Sequence, residues 1–122
     1  RLTCSNFGHH GPIFSRSGLV RVENGPPVGL VEELERWPES ELDLAEHGTR
    51  FLVFSDGITE QFNPEGEMFG DDRLVRAFRR HLERPLADMV DRIVEDLNGF
   101  RGPALVKDDQ TLLALDFVDA GA

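Results

Sequence analysis

The stretch "FLVFSDGITEQF", residues 51–62, places four apolar residues immediately before a Ser-Asp-Gly turn. Such an uninterrupted apolar run is typical of a central strand in a sheet that is covered on both faces. The strand is predicted to run from Arg50 to Phe54, and Asp56 follows it on the turn. An acid at a strand end is either an ordinary Asp-Gly turn or a rigid position for a carboxylate that binds a metal ion. The other acidic segments of the chain bear on this choice.

The bulk composition limits the classes of protein to consider. The chain has 122 residues, which suits one domain or part of one. It is 39% apolar and 30% charged, with nine Phe, so we expect a soluble globular protein. A net charge of -10 without a basic patch argues against nucleic-acid binding. Short apolar runs argue against a membrane-spanning helix, and a single cysteine excludes an internal disulfide and fits a cytoplasmic location.

Strands are predicted mainly in the first half of the chain. Besides Arg50–Phe54, the predicted strands are residues 2–7, 13–14, 19–22, 41–45 and, as a core strand at the end, 111–118. A hairpin turn is expected at Ser17-Gly18, and "EHGT", residues 46–49, is expected to form another turn. Residues 31–40 fit either a short helical turn or an irregular surface segment, in which Trp37 is expected to pack down as an anchor.

Two adjacent amphipathic helices are predicted between these strands. The first begins near Asp71 or Asp72, either of which can cap it, and its apolar face carries Leu74, Val75, Phe78 and Leu82. The second opens at Pro85 and is expected to end at Asn98-Gly99. Its apolar stripe consists of Leu86, Met89, Val90, Ile93, Val94 and Leu97. Strands followed by two helices and a final strand predict an α+β fold, in which helices cover a largely antiparallel sheet.

A second acidic turn, Asp108-Asp109, directly precedes the last predicted strand. If that strand and Arg50–Phe54 are antiparallel neighbours, this turn and Asp56 lie at the same end of the sheet. Clustered carboxylates repel each other, and a hard divalent ion such as Mg²⁺ or Mn²⁺ relieves that repulsion. Spacing alone leaves the alternative of two solvated turns open. Zinc is poorly supported, because there is one cysteine and no regular histidine spacing.

Two further polar segments are considered for the same chemistry. His9 and His10 are adjacent, so in an extended chain they point in opposite directions and would not jointly bind a metal. We favour a turn in which one of the two histidines packs or forms a hydrogen bond. Thr59 and Glu60 follow the Asp56 turn and are interpreted as supports of the loop backbone rather than as catalytic groups.

Five segments occur in an order that resembles a known family. They are "NFGHHGP" (6–12), "PPVGL" (26–30), "GTRFLVFSDGITEQFN" (48–63), "EMFGDDRL" (67–74) and "DDQTLLALDF" (108–117). Together they resemble the C-terminal part of the PPM-type metal-dependent serine/threonine phosphatase domain, and most closely its bacterial SpoIIE-like (RsbU-like) branch. The resemblance implies part of an αββα sandwich. Residues 1–122 would then be the C-terminal portion of one such domain, and the N-terminal portion would be absent from this chain.

The resemblance also implies roles for individual residues. Asp56 and Asp108 match the family's metal ligands, in a centre that holds two Mn²⁺ or Mg²⁺ ions in the complete domain. Gly57, Asp109 and Thr111 match positions that support this centre. Gly8 and His9 match a structural turn, in which Phe7 stands where the family has alanine. A metal-activated water takes the place of a protein nucleophile in this mechanism.

The implied reaction is the hydrolysis of phosphoserine or phosphothreonine on a regulatory partner protein, of the anti-anti-sigma type. The remaining metal ligands of the family lie in a Gly-Asp segment and an Asp turn that these residues lack, so the chain alone is expected to bind Mn²⁺ weakly and to hydrolyse little. The alternative is a non-catalytic, phosphatase-like docking module, although such a module would need neither Asp56 nor Asp108. The sequence leaves open whether an upstream sensor domain regulates the protein and whether it forms a homodimer.

Overall fold

The computed structural model describes residues 1–33 and 36–118. Its strands are β1 (Leu2–Cys4), β2 (Asn6–Phe7), β3 (Ile13–Phe14), β4 (Gly18–Leu19), β5 (Asn24–Gly25), β6 (Ser40–Leu42), β7 (Arg50–Phe54) and β8 (Leu112–Asp116). Its helices are α1 (Leu44–His47), α2 (Asp56–Thr59), α3 (Gly70–Arg80) and α4 (Leu86–Arg101). The predicted α+β class, with largely antiparallel strands and two adjacent amphipathic helices, is confirmed. Within the described ranges, no helix has the length and apolarity that crossing a membrane requires.

The main sheet has the strand order β4-β3-β7-β8, and every neighbouring pair in it is antiparallel. The central position predicted for Arg50–Phe54 is confirmed, since β7 lies between β3 and β8. Its register pairs Phe54 with Leu112 at one end and Arg50 with Asp116 at the other. Two smaller pairs, antiparallel β1–β6 and parallel β2–β5, complete the sheet structure.

Both faces of the main sheet bury apolar side chains. On one face, α3 and α4 pack against β7 and form a core that includes Leu52, Phe54, Phe78 and Met89. A second cluster contains Phe14, Leu42 and Phe51. Successive residues of a strand point to opposite faces, so β7 supplies side chains to both clusters, and this explains its uninterrupted apolar sequence.

The helix cores agree with the prediction, but the helix ends differ from it. In the α4 stripe, Val94 remains exposed while its other members are buried or pack against the core. This helix continues past Asn98-Gly99 to Arg101, because Phe100 packs on the core edge-to-face with Phe69 at 5.3 Å. The predicted α3 cap is also wrong. Phe69 occupies the N-cap position, and both acids lie in the first turn, where they complement the helix dipole.

Several strand predictions are wrong at their ends. The alternation predicted as a strand over residues 41–45 breaks at Asp43, whose carboxylate accepts a hydrogen bond from the Ala45 amide and caps α1. Residues 46 and 47 of the predicted "EHGT" turn therefore belong to this helix. The predicted strand over residues 2–7 is two strands with different partners, and the one predicted over residues 19–22 is β4, Gly18–Leu19.

Two predictions about surface burial also need correction. Strand β8 is an edge strand of the sheet that the structure describes, with Leu113 exposed, rather than a core strand. The Trp37 ring packs edge-to-face on the Phe7 ring, with 5.4 Å between the ring centroids, but Trp37 stays 65% exposed. Part of the ambiguous segment 31–40, residues 34 and 35, lies outside the described residues, and its described residues form no regular element before Ser40.

Candidate metal site

The antiparallel pairing of β7 and β8 brings the two acidic turns to the same end of the sheet. Beyond the Phe54–Leu112 pair, the Ser55 amide donates a hydrogen bond to the Thr111 carbonyl at 3.0 Å. The Thr111 amide returns one to Ser55 Oγ at 2.9 Å. This reciprocal pair fixes the turn that carries Asp56 against the turn that carries Asp108 and Asp109. The predicted common location of the two turns is confirmed.

Gly57 allows the two turns to approach closely. A Cβ atom at this position would lie 2.0 Å from the carbonyl oxygen of Asp109, far inside the contact distance. The Gly57 carbonyl accepts a hydrogen bond from Gln110 Nε2 at 3.0 Å, and this bond also joins the Asp56 turn to the segment that follows Asp109. Only glycine leaves room for this backbone approach.

The Asp56 turn opens directly into the short helix α2, and its backbone is the one that Thr59 and Glu60 were expected to support. Thr59 Oγ1 donates to the Asp56 carbonyl at 3.4 Å, and the Glu60 amide donates to the same oxygen at 2.8 Å. Both residues therefore stabilise the backbone that holds Asp56.

A cavity of about 280 Å³ lies where these turns meet the segment around Gly8. All of the residues that the sequence predicted for the metal site and its structural turn line this cavity. Its lining consists of Gly8, His9, His10, Ser55, Asp56, Gly57, Asp108, Asp109 and Thr111. The Asp56 side chain is half exposed to solvent, and an oxygen of Asp108 accepts a hydrogen bond from the Asp109 amide at 2.8 Å.

The glycine of the structural turn is held by strand β5, which is distant in the sequence. Gly8 has a φ of +84°, and its amide donates to Asn24 Oδ1 at 2.7 Å. The His9 amide donates to Asn6 Oδ1 at 3.0 Å, and the Asn6 side chain donates back to the His9 carbonyl at 2.8 Å. These contacts fix the backbone that carries the two histidines.

His10 is a site residue that the sequence analysis did not assign. Its Nε2 contacts Oδ1 of Asp56, and its ring stacks on Phe54 with a centroid distance of 5.1 Å and an interplanar angle of 15°. The expectation that one histidine of the pair packs or forms a hydrogen bond is confirmed, and that histidine is His10. The sequence predicted neither which of the two histidines makes this contact nor that its partner is Asp56.

The donor chemistry of the cavity fits a hard divalent cation. Asp56, Asp108 and Asp109 offer carboxylate oxygens, which Mg²⁺ and Mn²⁺ prefer. Across residues 1–33 and 36–118, no three His, Cys, Asp or Glu side chains are arranged to hold a metal ion by themselves. The carboxylates therefore fit part of a cation-binding set and do not form a complete one.

Comparison with known proteins assigns the fold to a class. The chain is similar to the SiaA-PP2C domain of Pseudomonas aeruginosa, with 25% identity and a TM-score of 0.59, over 77% of this chain and 37% of that one. It also shares the fold of the phosphatase domain of the cell fate determinant SpoIIE from Bacillus subtilis, with 15% identity and a TM-score of 0.56, over 94% of this chain and 57% of that one. These are phosphatase domains, and the chain spans between about a third and three fifths of their lengths.

The family assignment follows from the sequence match. The model of the family described as stage II sporulation protein E (SpoIIE) matches residues 1–118, and the chain belongs to this family. The resemblance to a PPM-type, SpoIIE-like phosphatase domain is thereby confirmed, and domains of this kind are generally metal-dependent. No curated protein matches the chain.

Proposed function

We propose that this chain forms one side of the metal centre of a protein phosphatase, with Asp56 and Asp108 as metal ligands. The observation that carries the proposal is the β7–β8 pairing, which places both acids in one cavity in a chain of the SpoIIE family. In the proposed reaction the metal ligands determine where the attacking water lies. Carboxylates on rigid strand ends suit this role, because they hold their positions.

The residues of this chain have distinct roles in the proposal. The Ser55–Thr111 hydrogen bonds hold the two acidic turns at a fixed separation. His10 orients the Asp56 carboxylate, and the stacking on Phe54 fixes the imidazole in turn. Mn²⁺ or Mg²⁺ ions bound here would activate a water molecule and neutralise charge on the phosphoryl oxygens.

The proposed substrate is phosphoserine or phosphothreonine on a regulatory partner protein of the anti-anti-sigma type, in the cytoplasm. Membership of the SpoIIE family supports this class of substrate. Because the described carboxylates form an incomplete set, the proposal expects further metal ligands from residues outside this chain. It also expects residues 1–122 alone to hydrolyse little.

The test uses the full-length protein that contains this chain, with Mn²⁺ and a phosphoserine protein or peptide as substrate. We expect Asp56→Asn and Asp108→Asn each to reduce Mn²⁺-dependent hydrolysis by more than the ~10–100-fold that loss of an outer-shell partner costs. Asp91→Asn is the matched control, because Asp91 is an exposed acid on α4 outside the cavity.

Two results would contradict the proposal. One is full activity in both the Asp56 and Asp108 variants. The other is binding of a phosphoprotein without any Mn²⁺-dependent hydrolysis, which would favour the docking module.

A further inference from the structure

A second cavity, of about 360 Å³, adjoins the acidic cavity and shares Gly57 and Asp108 with it. Its other walls include Phe62, Met68 and Leu105. We call this cavity the Phe62 groove. The shared residues mean that a molecule whose reacting group lies in the acidic cavity can extend directly into the groove.

The walls of the groove are held in place by backbone pairing and by the side-chain amides of Gln61 and Gln110. Phe62 and Met68 face each other across an antiparallel bridge that closes the loop between them. Gln61, only 4% exposed, donates to the Leu105 carbonyl at 3.0 Å, which fixes the opposite segment. Gln110 Nε2 then bonds to both Gln61 Oε1 and the Gly57 carbonyl, at 2.9 and 3.0 Å. The groove is therefore preformed, and its position relative to the acidic cavity is set.

The groove exposes apolar surface beside an acidic site. Phe62 is 39% exposed and Leu105 is 76% exposed, although both flank rigid, hydrogen-bonded backbone. Exposed apolar side chains that form one wall together are typical of a surface that binds another molecule. A peptide substrate has side chains next to its phosphorylated residue that can cover this surface.

The groove also contains the chain's single lysine. Lys107 Nζ lies 5.8 Å from the centroid of the Phe62 ring, so its side chain lies over the apolar wall. It lines the groove and not the acidic cavity. In a chain with a net charge of -10, and beside Glu60 in the same groove, this cation offers local attraction to an anionic substrate.

We propose that the Phe62 groove binds an apolar side chain next to the phosphorylated residue of the protein substrate. This inference rests on the proposed phosphatase function and names a feature of its substrates. An extended peptide advances about 3.3–3.6 Å per residue, so a residue adjacent to a phosphoserine in the acidic cavity reaches the rim formed by Gly57 and Asp108. Its side chain then packs against Phe62, Met68 and Leu105.

The test compares phosphoserine peptides in which the residue immediately before or immediately after phosphoserine is either Leu or Gly. The full-length protein is assayed with Mn²⁺, and kcat/KM is measured for each peptide. Hydrolysis of p-nitrophenyl phosphate, which has no flanking residues, shows separately whether the protein is a phosphatase. We expect Leu at one of the two positions to raise kcat/KM about tenfold over Gly, as is usual for filling an apolar pocket.

Phe62→Ala and Leu105→Ser are each expected to reduce the Leu-to-Gly ratio to less than about twofold. Leu105 is mostly exposed, so its substitution leaves the fold intact even if the Phe62 variant does not fold. Phe117→Ala is the matched control. Phe117 is the same residue type, 40% exposed, and lies beyond the other end of β8, so the ratio should persist in that variant.

A Leu-to-Gly ratio near one at both positions, or a ratio that persists in both groove variants, would overturn the inference. Should the protein hydrolyse neither the peptides nor p-nitrophenyl phosphate, the proposed function fails and the groove is tested by binding. Fluorescence anisotropy with non-hydrolysable phosphonate peptides then decides. Tighter binding of the Leu peptide that is lost in both groove variants supports the inference, and equal binding of the Leu and Gly peptides refutes it.

Discussion

Arg50 and Asp116 form a bidentate ion pair between β7 and β8, at the end of the sheet opposite the acidic cavity. Arg50 Nε lies 2.6 Å from Asp116 Oδ1, and Nη2 lies 2.7 Å from Oδ2. The third guanidinium nitrogen donates to the carbonyls of Leu82 and Arg84, at 2.9 and 2.6 Å. One side chain thus joins both strands to the connection between α3 and α4, a task for which the planar fork of arginine is suited.

Replacing Arg50 with Met should destabilise the protein by about 1–2 kcal/mol, because two charge-assisted hydrogen bonds and two carbonyl contacts are lost. Arg50→Lys should recover only part of this stability, since an ammonium group cannot make the two-point contact. Urea denaturation measures both changes. A double-mutant cycle with Asp116→Asn should show coupling between the two residues, and purely additive effects would contradict the pairing.

The same pair makes stability depend on acidic pH. The hydrogen bond from Arg50 holds the pKa of Asp116 below its usual value in the folded protein, while Asp116 raises the pKa of Arg50. Because the folded-state pKa of Asp116 is the lower one, its stabilisation is fully present above the unfolded-state pKa and is lost as pH falls through the folded-state value. Urea denaturation from pH 7 down to about pH 3 should show that the free energy of unfolding falls less in Asp116→Asn than in the wild type. An unchanged profile would contradict this account.

His10→Ala should weaken Mn²⁺ binding by about 10–100-fold, because the Asp56 carboxylate loses the group that orients it. The dissociation constant is measured by isothermal titration calorimetry on the full-length protein. His9→Ala is the neighbouring control and should have the smaller effect, since the contacts that hold His9 come from its backbone. Equal losses in the two variants would mean that His10 has no special role.

Two glycine substitutions should have opposite effects on stability. Gly57→Ala places a methyl group against the Asp109 carbonyl and should cost about 1–3 kcal/mol, with weaker Mn²⁺ binding as the turns separate. Gly99→Ala should instead stabilise by about 0.5–1 kcal/mol, because Gly99 lies within α4 and an added Cβ meets nothing within 4 Å. Thermal unfolding of both variants tests the pair, and a stable Gly57→Ala protein with unchanged Mn²⁺ affinity would contradict the packing argument.

The sequence predicted the candidate site better than it predicted the ends of the elements. The apolar run ending in Ser55-Asp56 and the acids before Leu112 predicted one acidic sheet end on the condition that the two strands are antiparallel neighbours, and the β7–β8 pairing meets that condition. The end of α4 was missed because Gly99 is a poor helix former locally. The packing of Phe100 on the core overrides that propensity.

Contacts between distant segments were not predictable in this way. The pairing of His10 with Asp56 depends on where β3 lies against β7, and the Arg50–Asp116 pair depends on the exact register of β8. Neither leaves a local pattern, since each joins residues that are far apart in the chain. The strand over residues 41–45 failed for a different reason, because the side chain of Asp43 favours a helix cap at a point where the apolar alternation still continues.

The two ends of strand β7 have different roles: the Arg50 end stabilises the fold, and the Phe54 end leads into the Asp56 turn. Four residue steps, about 14 Å at the rise of an antiparallel strand, lie between Arg50 and Phe54. The effects of mutations further apart than about 7–10 Å usually add. Substitutions at the Arg50 end that change how long the chain stays folded should therefore leave the chemistry at the Asp56 end unaltered. Related proteins from organisms with different growth temperatures can therefore differ in heat resistance at the Arg50 end and still keep the same acidic turns.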